Sequence, residues 1–195
     1  MLTKTILGSI AAGISIYTYV PYFIGIFKGH TKPHAFSWII WALVTGITSA
    51  AQLVSHGGAG AWVTIIEALA TSTVSIIALF RGETHITRGD KIGFGLSLSA
   101  IPLWIATGDP LWSVILVTAI SVSGFWPTFR KSWPQPWGEV AQTYLLAAPA
   151  YGLSITALDN LSWTTALYPG VLMVANLAFG AMLLKRRKNI PKPKS

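Results

Sequence analysis

The chain alternates long apolar blocks with short polar ones. Seven blocks stand out, at residues 5–27, 35–54, 60–80, 92–107, 111–129, 140–156 and 163–184. A helix needs about 20 apolar residues to cross a hydrocarbon core of about 30 Å, so each block predicts a membrane-spanning helix. The fourth and sixth are short for this and need shielding by neighbours or an adapted bilayer.

The polar segments sort by charge. The first loop holds Lys28 and Lys32, the third Arg81, Arg88 and Lys91, and the fifth Arg130 and Lys131. The second, fourth and sixth carry no Lys or Arg; they hold His56, Asp109 and Asp159. Only Lys4 breaks the alternation. The positive-inside rule then predicts an outer N-terminus and a cytoplasmic C-terminus. Trp62, Trp112 and Trp163 open helices on the outer side, and Trp133 and Trp137 lie on the inner side, where amphipathic rings favour the headgroup region.

Composition agrees with this picture. Of 195 residues, 52% are hydrophobic and only 10% charged, against a usual charged share of about 25%. The formal net charge of +8 does not imply nucleic acid, because the basic residues sit in short segments between apolar blocks and form no phosphate-binding platform. Six of the 14 Lys and Arg residues follow Leu184, in a tail suited to anionic lipid. The absence of cysteine excludes disulfides, thiol catalysis and Cys-based metal sites. The first block lacks a clear basic n-region and a small-x-small cleavage site, and is read as a retained helix.

The chain also echoes itself. Lys28, Pro33 and His34 recur at identical spacing as Lys131, Pro136 and Trp137, with Pro21 and Pro127 upstream in the preceding blocks. The third and seventh blocks both run from an outer Trp to inner cations. Helices one to three therefore repeat as five to seven. A three-helix unit ends opposite to where it starts, so a single extra helix keeps both copies in the same orientation. The expected fold is an all-α integral membrane protein of seven transmembrane helices, built as two parallel three-helix bundles joined by a linker helix (3+1+3). Its parts are residues 1–90, a linker at 91–108, a second repeat at 109–184, and a basic cytoplasmic tail at 185–195. Parallel repeats of this kind are one transporter plan, with the solute site between them near midplane.

This 3+1+3 plan resembles the PQ-loop superfamily, which includes the SWEET sugar transporters. The resemblance rests on the proline in the first helix of each repeat and on the Lys-initiated loops, Lys28-Gly29-His30-Thr31 and Lys131-Ser132. The bacterial nicotinamide riboside transporters share a related plan. The resemblance implies a pocket asparagine in the seventh helix, which Asn176 matches; Thr71, Thr73 and Ser75 take the comparable region of the third.

Several residues are candidates for chemistry. Glu67 is the one carboxylate well inside an apolar block. A bare charge there costs at least a few kcal/mol, so such acids face a cavity or a partner; Glu67 suits solute binding or proton coupling. Asn176 offers donors and acceptors to a polar solute, or glue between helices. Trp38 and Trp41, at i and i+3 on one face, and Tyr151 can stack on a ring, with an interface belt as the plainer role. Thr45, Thr48 and Gln52 extend the polar set of the second helix towards a pore. Pro21, Pro127 and Pro149 are candidate hinges. His30, His34, His56 and His85 lack a zinc-like spacing, and Glu139 complements a helix N-terminus. No metal, cofactor or catalytic residue is expected, since no phosphate loop, nucleophile elbow or metalloprotease motif is present.

The functional expectation is a transporter, passive or proton-coupled, for a small polar solute such as a sugar or vitamin-like metabolite. It would work by alternating access in a bacterial cytoplasmic (inner) membrane. Its partners would be the solute and the lipid bilayer, with no nucleic acid and with room for a homo-oligomer. The competing reading is a non-transporting interaction, receptor or assembly protein. An intramembrane enzyme is disfavoured by the single buried acid.

Overall fold

The computed structural model describes residues 2–29, 33, 35–82, 88–134, 136–138 and 141–191. His30, Thr31, Lys32, His34, His85, Glu139 and Val140 fall outside them, as do the side chains of Pro127, Arg130 and Lys131.

Seven α-helices form: α1 (Leu2–Phe27), α2 (Ala35–Val54), α3 (Trp62–Arg81), α4 (Arg88–Thr107), α5 (Pro110–Ser132), α6 (Ala141–Thr156) and α7 (Trp163–Asn189). Short 3-10 turns precede α3 at Gly58–Ala61 and α6 at Pro136–Gly138. Each helix follows one apolar block, since long apolar runs satisfy their backbone groups most readily within one helix. Their starts carry local signals. Asp109 accepts from Leu111 N at 2.9 Å with Pro110 in the first turn, and Ser162 caps α7 through a reciprocal bond with Thr165.

Leu2–Phe27, Ser37–Val54, Gly58–Arg81 and Trp163–Asn189 are long and apolar enough to cross a membrane. Of the two blocks expected to be short for a span, the fourth forms the 20-residue α4 and the sixth the shortest helix, α6. Among the described residues, shorter apolar helical stretches lie at Lys91–Thr107 in α4 and Pro110–Ser123 in α5. Helix α6 has 16 residues, about 24 Å at 1.5 Å per residue.

The helices alternate in direction. Lys4 in α1 bonds Leu158 O beyond the end of α6. Asn160 before α7 bonds Ser55 O just after α2. At the opposite end Pro33 O lies against Gly82 after α3, and Arg187 near the end of α7 donates to Pro136 O at 3.0 Å. Lys28, Arg81, Arg88, Lys91 and Arg186 thus share one end, here called the basic end. Pro33 and Pro136, the matched prolines of the two basic loops, are both buried.

Helix α3 packs against both α1 and α2, and α7 against both α5 and α6. Between these sets α1 packs on α6 and α2 on α5, while α4 lies against α5 and α2. The main apolar core runs through Val44, Val63, Val114, Val117, Tyr151 and Leu172. Around it the usual polarity is reversed. Large apolar side chains such as Leu69, Phe80, Ile105 and Val174 are exposed, whereas Thr48, Gln52, Thr64, Glu67 and Asn176 are buried. An apolar exterior this extensive needs a covering of lipid or protein.

Candidate functional site

A cavity of about 510 Å³ lies between six helices, within the usual range of roughly 300–1,000 Å³ for small-molecule sites. Described residues from every helix except α4 line it. The wall positions recur at matched spacings. Thr18 and Tyr22 of α1 stand four apart, as do Ser121 and Phe125 of α5. Trp38, Trp41 and Thr45 of α2 follow i, i+3, i+7, and so do Tyr144, Ala147 and Tyr151 of α6. Glu67 and Thr71 of α3 are four apart, like Leu172 and Asn176 of α7. These spacings put each set on one helix face.

Glu67 sits at the deep end, only 8% exposed. The Tyr151 hydroxyl hydrogen-bonds its carboxyl group. Its Oε2 is buried with no hydrogen-bond partner among the described residues. Tyr168 hydrogen-bonds both Tyr151 and Ser121, extending the network to α7 and α5. The Tyr151 and Tyr168 rings meet edge-on, with centroids 6.4 Å apart. Glu67 lines the cavity although Oε2 itself is sealed from it, so a bound molecule can donate to the carboxyl group where it borders the cavity.

The α2 side of the cavity is aromatic. Trp38 Nε1 donates to Tyr22 Oη at 3.1 Å, and the two rings lie 4.8 Å apart. Trp41 meets Trp38 edge-on at 5.0 Å. Deeper in, the Thr45 and Thr71 hydroxyls bond across α2 and α3 at 3.0 Å. Asn176 donates to Leu172 O at 2.8 Å, which engages its amide nitrogen. The cavity runs from Ser37 and Thr143, near the starts of α2 and α6 at the basic end, to Thr45, Tyr151 and Tyr168 in the middle of the bundle.

The other end is closed. Gln52 is fully buried; its Nε2 donates to Thr165 O at 2.6 Å and its Oε1 accepts from the Thr64 hydroxyl. Asn160 bonds Ser55 O at 2.9 Å, Asp159 N bonds Gly57 O at 3.1 Å, and Lys4 bonds Leu158 O at 2.6 Å. The 3-10 turn before α3 wedges between α1 and α6. A Cβ on Gly60 would come within 2.5 Å of Ser154 O, and one on Gly8 within 2.7 Å of Ala59 O.

Of the residues singled out from the sequence, Glu67, Asn176, Trp38, Trp41, Thr45 and Tyr151 come together in this cavity. Gln52, expected to line a pore, does not line it; both ends of its amide are engaged in the closure. Pro21 and Pro149 lie within α1 and α6, exposed on their outer faces, and Pro127 lies within α5. Tyr19, Tyr22, Ser121, Phe125 and Tyr168 line the cavity without having been singled out. Tyr168 stands eight residues before Asn176, two turns away on the same face, and that spacing was the available signal. Among the described residues no three His, Asp or Glu side chains gather to hold a metal ion. Comparison with protein-family models, curated proteins and solved structures finds no match to the chain.

Proposed function

We propose that the chain is a membrane transporter for a small polar solute, working by alternating access between two parallel three-helix units joined by α4. The observation that carries this reading is the cavity itself: α1–α3 and α5–α7 all line it, α4 does not, and an incompletely paired acid lies at its deep end. The shared packing order, with α3 and α7 each the middle member of its set, and the matched wall spacings support the repeat. The apolar exterior and the basic residues gathered at one end support a bilayer setting with the basic end in the cytoplasm. In that frame the conformation faces inward. The cavity extends towards the basic end, and the Gln52, Asn160 and Lys4 bonds close the outer end. Opening outward breaks those bonds and brings the basic ends of the two units together. Pro21, Pro127 and Pro149 lie within continuous helices near cavity-lining residues, where each removes one helical N–H donor and bending would reshape the walls.

The test is flux in proteoliposomes across a broad panel of polar metabolites. A carrier moves at least one of them, and Glu67→Gln changes its rate or pH dependence. No flux for any solute, with Glu67→Gln altering stability alone, would favour an interaction or assembly protein instead.

A further inference from the structure

The cavity's chemistry narrows the solute, if the carrier reading above is granted as its starting point. Among the described lining residues Glu67 carries the sole carboxyl group, and no Lys, Arg or His is present. Eight of the lining residues are aromatic. An anionic solute would meet uncompensated negative charge and the negative faces of these rings. With a neutral polyol the acid must take up a proton instead, since an unpaired charge in a low-dielectric site costs several kcal/mol. A cation supplies the missing counter-charge, and aromatic faces attract it further.

The carboxylate of Glu67, which borders the cavity, sharpens this. It accepts hydrogen bonds as well as attracting positive charge. An ammonium group bearing N–H supplies both donor and charge; a quaternary ammonium supplies only charge. The rings are unevenly placed along the cavity. Tyr19, Tyr151 and Tyr168 surround the acid at the deep end. Tyr22, Trp38 and Trp41 stand on one wall towards the basic end, with Phe125 and Tyr144 on the matching positions of the other unit. A bound molecule would therefore place its charged head among the tyrosines and a flat or apolar body between the two aromatic walls.

We infer that the cavity takes a protonated primary or secondary amine with an apolar or aromatic body, its N–H donating to Glu67. The geometry assigns the head to Glu67 and leaves the Asn176 amide oxygen for a second polar group.

Tyramine and tyrosol form a matched pair that differs in an ammonium against a hydroxyl group. Their binding to the purified full-length protein in detergent, near neutral pH, is read by titration calorimetry, with N,N,N-trimethyltyramine and glucose as further probes. The expected result is binding of tyramine at least about tenfold tighter than tyrosol, the equivalent of roughly 1.4 kcal/mol. The trimethyl compound falls between them, and Glu67→Gln brings tyramine and tyrosol within about twofold. The comparison on the unaltered protein stands even where the variant fails to fold. Equal binding of tyramine and tyrosol, preference for glucose, or no binding of any probe overturns the inference. Flux of the same probes in proteoliposomes separates it from the carrier reading. Transport of tyrosol or glucose without tyramine keeps the carrier and removes the amine. Selective tyramine binding without flux keeps the amine site and removes the carrier.

Discussion

Tyr151 on α6 hydrogen-bonds the Glu67 carboxyl on α3, so the acid at the deep end of the cavity is held from the opposite set of helices. Tyr168 and Ser121 continue the chain of contacts onto α7 and α5. A movement of one set against the other must therefore rearrange the groups around Glu67.

Tyr151→Phe tests that link with little change of shape. The phenyl ring keeps its edge contact with Tyr168, and one hydroxyl is lost. Hydrogen bonds between membrane helices average about 0.6 kcal/mol, with a maximum near 1.7. The melting temperature in detergent should fall by no more than a few degrees, while ligand affinity or flux drops about tenfold.

Gln52 and Thr45 lie two turns apart on α2 and differ in role. Gln52→Leu leaves the Thr165 carbonyl without its donor in a buried site, since Pro169 four residues on has no N–H, at a cost of about 1–3 kcal/mol, while the Thr64 hydroxyl keeps its bond to Ala61 O at 2.9 Å. For a chain of this size that corresponds to roughly 2–4 °C per kcal/mol. Thr45→Val removes one cavity-facing hydroxyl whose partner, Thr71, retains a bond to Glu67 O at 2.7 Å. Thermal unfolding should rank Gln52→Leu as the more destabilising, and flux should rank Thr45→Val as the more damaging at equal amounts of folded protein.

Two glycines give a steric contrast. A Cβ at Gly60 meets Ser154 O at 2.5 Å and Leu158 Cδ2 at 2.6 Å, whereas one at Gly13 in α1 meets nothing within 4 Å. Gly60→Ala should destabilise by about 1–3 kcal/mol through overpacking. Gly13→Ala should be neutral or stabilising by up to about 1 kcal/mol from helix propensity. Paired melting curves check both.

Lys4 and Asp159 stand 3.7 Å apart with side chains 40% and 52% exposed. Exposed pairs contribute about 0–1 kcal/mol, so Asp159→Asn should leave the melting temperature within a degree or two. A larger fall would mean that this pair, rather than Gln52, holds the closed end.

The helices were legible in the sequence because polar loops bound the apolar blocks sharply. Helix α2 occupies residues 35–54 as expected, and α7 starts at Trp163. The inward faces were harder to read. A helix surrounded by apolar neighbours carries little contrast between its sides, so nothing in the sequence set Tyr19 and Tyr168 apart. Glu67 and Asn176 were legible because a carboxyl or amide within an apolar block needs a partner or a cavity. Gln52 was grouped with Thr45 because both are polar and share a side of α2. What separates them is Thr165, 113 positions away in the chain, a contact that no local pattern encodes.

The most direct test of alternating access needs no knowledge of the solute. The chain has no cysteine, so a single Thr71→Cys places one thiol in the cavity. Its labelling by a membrane-impermeant thiol reagent is measured from each side of right-side-out and inside-out vesicles. The account predicts modification from the basic, cytoplasmic side and protection from the outer side, with outer labelling appearing when Gln52→Leu loosens the closed end. A thiol reached from neither side in either background, or from the outer side alone, would contradict it.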